Sequence, residues 1–131
     1  ARRMRKMLGG GMRQAGILAA GALYALDHHV DRLAEDHARA RRLAKTISGL
    51  AGFTVANDPP PTNMVMVEVA SPRSAGELCR QLAERGVRAL SISASRVRLV
   101  VHLEIGDEDI AHTEDAFGEL SGDAIRREGS S

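Results

Sequence analysis

The sequence predicts an α+β fold: a long helix leads into a small, mostly antiparallel sheet with helices on one face. Three observations carry that expectation. Leu26, Val30, Leu33, Ala40, Leu43 and Ile47 recur at three- and four-residue steps, the spacing of one helical face. Valine-rich residues 64–69 and the alternation in residues 96–102 read as strands. Ser74 followed by Glu77, and later Asp107, mark two further helix starts. Strands and helices segregated around one small sheet make a two-layer arrangement.

Taken in order, residues 1–14 form a basic, glycine-rich hinge segment, and residues 15–50 carry the long interdomain helix. Its first turns, with Gly16, Ala19, Ala20, Gly21 and Ala22, are small and apolar on nearly every side, which predicts burial against a partner or another domain. A small domain follows over residues 51–120. Residues 53–56 are a short strand, and Asn57-Asp58-Pro59-Pro60-Pro61 is a stiff loop. The strand at 64–69 precedes a helix over about 75–85, with Leu78 and Leu82 inward and Gly86 as its stop. Residues 87–93 and 97–103 read as two more strands. Asp107 caps a last helix over about 108–120, with Ile110 and Phe117 inward, and residues 121–131 read as a polar, disordered tail.

Composition narrows the function. The chain has 131 residues, 44% of them apolar and 27% charged, which suits one soluble domain or a piece of a larger one. Tyr24, Phe53 and Phe117 are its only aromatics besides histidine, so no stacking platform for unpaired bases exists. The single cysteine, Cys79, excludes an internal disulfide framework and a Cys-rich zinc module, and fits a reducing cytoplasm. Net charge is only +1, but residues 1–50 carry ten Arg/Lys against four Asp/Glu. The basic start followed by apolar residues 15–26 imitates a signal peptide, yet the glycine run and Arg13-Gln14 interrupt it, and the apolar run is too short to span a bilayer. A chain opening at Ala1 straight into Arg2-Arg3-Met4-Arg5-Lys6 reads as an entry into the middle of something longer.

Two segments carry candidate chemistry. Residues 5–14 (RKMLGGGMRQ) open into a helix, and glycine backbone N–H groups together with Lys6 and Arg13 form a plausible phosphate or carboxylate cradle. Three glycines are more often a flexible entry loop, and no Walker or dinucleotide motif is present. In residues 96–102 (RVRLVVH), strand alternation puts Arg96, Arg98, Val100 and His102 on one face. Arginine on a rigid strand suits a bidentate grip on a carboxylate, although a solvated sheet face has the same pattern. His28, His29 and His37 lack the further ligands of a metal site, so no metal is expected. Cys79 has no identifiable base, and the acids at 107–109 suit a helix first turn.

These residues resemble a known family. RKMLGGGMRQ and its continuation through residues 15–20 resemble the segment joining the large and small domains of low-specificity L-threonine aldolases. Thr62-Asn63-Met64-Val65 and Arg98-Leu99-Val100-Val101-His102-Leu103 resemble later motifs of that family, in the same order. The resemblance spans about residues 2–120. It implies the small domain of an aspartate-aminotransferase-like, fold-type I enzyme that cleaves threonine or allo-threonine to glycine and acetaldehyde. It implies the cofactor pyridoxal 5'-phosphate, held mainly by a large domain, and a cytoplasmic homotetramer with no nucleic-acid or membrane partner. Arg98 would then hold the substrate carboxylate, Lys6 would line the site, and Arg13, Gly10 and Gly11 would lie on the cofactor-phosphate side. His102 would give support at most, and Val101 stands where the family motif usually has threonine. The Schiff-base lysine belongs to the large domain, so no catalytic residue is expected in this chain, which would be inactive alone. A relic that only self-associates is the alternative.

Overall fold

The computed structural model describes residues 2–128, which divide into two compact units at Arg32/Leu33. The first unit holds α1 (Arg2–Met7) and α2 (Gly16–His28). Neither helix buries a side chain, and Ile17, Leu18, Leu23, Tyr24 and Leu26 of α2 are all exposed.

The single helix expected over 15–50 is instead two, because residues 29–32 form turns before α3 (Leu33–Ser48) begins. Asp27, His28, His29, Val30 and Asp31 are weak helix formers, together disfavouring helix by roughly 2–3 kcal/mol relative to alanine. Local contacts occupy the last turn of α2 before the break. The Tyr24 ring stacks on His28 at 4.1 Å and meets His29 edge-on at 5.5 Å, while the His29 N–H donates to the Ala25 carbonyl. Of the expected helical face, Leu26, Val30 and Leu33 are exposed, whereas Ala40, Leu43 and Ile47 are buried.

The second unit is an α+β sandwich. Its sheet contains β1 (Phe53–Val55), β2 (Met64–Val69), β3 (Leu90–Ser91) and β4 (Arg96–Val100) in the order β1-β2-β4-β3, antiparallel throughout. Helices α3, α4 (Ala75–Ala83) and α5 (Asp107–Glu128) cover one face, with α3 packed on β1 and β2 and α4 on β2, β3 and β4. Strand alternation sends Val65, Val67, Val69, Val97 and Leu99 into this core. There they meet Leu43, Ile47, Leu78, Leu82, Ile110 and Phe117, and the Phe53 and Phe117 rings pack edge to face at 5.2 Å.

Helix ends explain the strand lengths. Ser74 Oγ accepts the Glu77 N–H at 3.2 Å and starts α4 as its sequence predicts. Gly86, at φ +79°, closes that helix: its N–H donates to the Ala83 carbonyl and the Val87 N–H to that of Leu82. Val87 therefore cannot also enter the ladder, and the strand expected at 87–93 contracts to β3. The strand expected at 97–103 likewise ends at Val100, because residues 102–105 turn and the Ile105 N–H donates to the His102 carbonyl.

At the start of α5, Asp109 Oδ2 accepts the Gly106 N–H at 2.8 Å. This helix runs on to Glu128, through most of the expected disordered tail, of which residues 129–131 lie outside the described residues.

Candidate functional site

Arg98 sits on β4, which is paired on both edges, so its backbone is held from two sides. It faces Met66 of β2 and Leu90 of β3 in register, on the sheet face away from the helices. Arg96 and Val100 project from the same face, while Val97 and Leu99 alternate into the core. The two arginines meet different surroundings. Arg96 forms an ion pair with Glu68, its register partner across the ladder, and Ser95 Oγ donates to the same carboxylate at 3.1 Å. The Arg98 side chain is half-buried, and its Nε–H is fully enclosed with no hydrogen-bond partner among the described residues. A buried donor without an acceptor costs roughly 1–3 kcal/mol, and no group among the described residues offsets that cost here.

That guanidinium lines an open hollow of about 320 Å³ with Arg88, Ala89, Leu90, Val100 and His102. His102 lies beyond the end of β4 yet still reaches this hollow, and its Nδ1 accepts the Glu104 N–H at 3.4 Å. The turn bearing it is anchored by Asn63, whose carbonyl accepts the Val101 N–H at 2.9 Å. Asn63 Nδ2 in turn donates to the Val101 carbonyl at 2.6 Å. The segments 62–65 and 98–103, separate motifs in the sequence, thus meet backbone to backbone. Sequence reasoning assigned no part to Asn63 or to Arg88. Arg88 lies just before β3, and its place in the expected 87–93 strand gave no sign that it shares a hollow with Arg98.

Lys6, Arg13, Gly10 and Gly11 belong to the first unit. Lys6 is exposed in the last turn of α1, and Arg13 is exposed beyond the glycines. The glycine run closes α1 and does not converge its amides on an open cradle. Gly9 takes φ +83° and donates to the Lys6 carbonyl, Gly10 donates to that of Arg5 at 2.8 Å, and Gly11 to that of Gly9 at 3.0 Å. A Cβ on Gly10 would collide with the Arg5 side chain, whereas one on Gly11 would meet nothing within 4 Å. The start of α2 has no side-chain cap.

The remaining candidates stay apart from this chemistry. His28 Nδ1 lies 3.0 Å from the Tyr24 carbonyl, and among the described residues no cluster of three or more potential metal ligands exists. Burial pushes the Cys79 thiol up, partly offset by a backbone hydrogen bond at Ser91. No described helix is long and apolar enough to cross a membrane.

Comparison with known proteins places this arrangement. Residues 1–72 match the family model described as beta-eliminating lyase. The chain is 36% identical over 119 residues to low-specificity L-threonine aldolase 1 of Arabidopsis thaliana, covering 89% of this chain and 33% of that protein. It is 42% identical over 112 residues to the low specificity L-threonine aldolase of Escherichia coli strain K12, covering 83% of this chain and 31% of that one. It therefore spans about a third of the length of these curated relatives. Among solved structures, the cystine C-S lyase C-DES in complex with cysteine persulfide superposes with a TM-score of 0.65 at 20% identity, over 80% of this chain and 28% of that one. A Lactobacillus brevis glutamate decarboxylase superposes with a TM-score of 0.56 at 24% identity, over 67% of this chain and 22% of that one. The α+β layering is thus that of fold-type I enzymes, and the match over residues 1–72 establishes that the chain belongs to the beta-eliminating lyase family.

Proposed function

We propose that these residues form the C-terminal part of a pyridoxal-phosphate-dependent aldolase that cleaves L-threonine or L-allo-threonine to glycine and an aldehyde. The observation that carries this reading is the enclosed, unpartnered Nε–H of Arg98 within an open hollow. An amino-acid carboxylate is the natural acceptor for such a guanidinium, and the strand beneath it fixes the direction of approach.

This chain's part is binding and orientation. Arg98 holds the α-carboxylate, Asn63 fixes the backbone turn that presents His102, and Leu90 and Val100 wall the hollow. On the family resemblance, Lys6 is expected to line the substrate site and Arg13, Gly10 and Gly11 to lie on the cofactor-phosphate side. The hollow around Arg98 fits the substrate side of a cofactor site. Lys6 and Lys45, the two lysines of the chain, are both solvent-exposed on helices, so neither has the enclosure expected of a covalent anchor. The anchoring lysine would come from the part of the relatives that this chain does not span. Pyridoxal phosphate, when bound, supplies an electron sink for the charge left at Cα when the Cα–Cβ bond breaks. Assembly as a homotetramer in the cytoplasm completes the proposal.

In the full-length polypeptide containing these residues, Arg98→Ala is expected to raise KM for L-threonine by about ten- to a hundredfold, the loss of a charge-assisted pair worth about 1.5–3 kcal/mol. Cofactor content should stay near one per subunit. An unchanged kcat/KM would remove the carboxylate role. A full-length protein that self-associates but never cleaves threonine would favour the inactive relic.

A further inference from the structure

We propose that Arg88 makes the hollow around Arg98 selective for β-hydroxy amino acids whose side chain carries a second acidic group. The inference rests on the aldolase reading and names its substrate class. Arginines between residues 33 and 122 are nearly all engaged: Arg39 with Asp107, Arg42 with Glu114, Arg80 with Glu84, Arg85 with Glu119 and Arg96 with Glu68, while Arg73 donates to the Leu120 carbonyl. Arg41, Arg88 and Arg98 alone in that span have no hydrogen bond or ion pair among the described residues. Arg41 is exposed on α3, but the other two line the same hollow.

No carboxylate lines that hollow. His102 Nδ1 accepts the Glu104 N–H, which leaves Nε2 as the ring nitrogen available to a ligand. One α-carboxylate answers Arg98 and leaves Arg88 without a counter-charge. A ligand with two acidic groups answers both, the first at the half-buried guanidinium and the second at the exposed one. Threonine offers only a methyl there. For 3-hydroxyaspartate the same retro-aldol cleavage balances as glycine plus glyoxylate: the Cα–Cβ bond breaks, the hydroxyl proton leaves as the aldehyde forms, and a proton is taken up at Cα.

The test uses the full-length, cofactor-loaded polypeptide and compares kcat/KM for 3-hydroxyaspartate with that for L-threonine. Arg88→Ala should lower the ratio of the two about fivefold, the scale of one solvent-open charge pair, and Arg88→Lys should restore most of it. Calorimetry on the cofactor-free protein gives a second readout: malonate should bind more tightly than acetate, with the preference lost in Arg88→Ala. An unchanged ratio together with an unchanged malonate preference overturns the role of Arg88. Should neither substrate be cleaved, the malonate result alone decides, since its dependence on Arg88 supports the dianion site and its independence ends it. Arg98→Ala failing to affect either substrate would instead remove the underlying carboxylate assignment, whatever Arg88 does.

Discussion

Two arginines one pleat apart on β4 show how much the neighbour across the ladder decides. Arg96 faces Glu68, so its charge is paired across β2 and β4; Arg98 faces Met66 and Leu90, so no carboxylate opposes it across the ladder. The alternating pattern RVRLVVH shows both on one face but contains nothing about cross-strand partners, which is why Arg96 and Arg98 read alike in the sequence. Glu68→Gln should accordingly cost no more than about 1 kcal/mol, the range of partly exposed ion pairs, and should leave KM for threonine near its original value. A titratable residue adds a pH signature. The hydrogen bond from Arg39 Nε at 2.9 Å, followed by the attraction of the same guanidinium, holds the Asp107 carboxyl below the usual carboxylate range. A depressed folded-state value means stability that is present above the unfolded value and lost as pH falls through the folded one. Asp107→Asn should therefore lower the urea midpoint at neutral pH, and the difference should vanish in acid, where both states are protonated.

At the scale of elements, legibility followed the helix signals. Ser74, Glu77 and Gly86 bound α4 in the sequence as in the structure, because capping is a local interaction that needs no tertiary partner. The same closing motif at Gly9 went unread, since a six-residue helix such as α1 has too little periodicity to register. Both glycines occupy the left-handed region, where a Cβ is strained whatever the space around it. Gly86→Ala should cost about 1–2 kcal/mol in urea unfolding, with the Cβ itself finding room 3.6 Å from His112 Nε2. The break at residues 29–32 was hidden for the opposite reason. Apolar spacing continues across it, while the opposing signal is a sum of small propensities over five residues. Hydrogen exchange offers a direct check on α2. With no buried side chain to hold it, amides 20–28 should exchange far faster than those of β2 and of α3 around Leu43 and Ile47.

For the molecule as a whole, stability concentrates in the sheet and the three helices on one of its faces. Phe117 is fully buried against Phe53 at the centre of that layer, and Phe117→Ala should cost about 3–5 kcal/mol. Domains of this size have only about 5–15 kcal/mol to lose, so far-ultraviolet dichroism of the variant should show a much lower urea midpoint. By itself the sequence determined the fold class, the order of the strands and the capping of α4, because periodicity and capping are encoded within a few residues of one another, while the ends of β3 and β4 were set by tertiary contacts. Its motifs also carried the family resemblance. Only the tertiary structure decided that the Arg98 Nε–H is enclosed without an acceptor, that Arg88 and His102 share its hollow, and that Asn63 ties the two late motifs together. Those facts depend on which strands pair and in what register, and pairing joins residues tens of positions apart whose sequence neighbours hold no record of it.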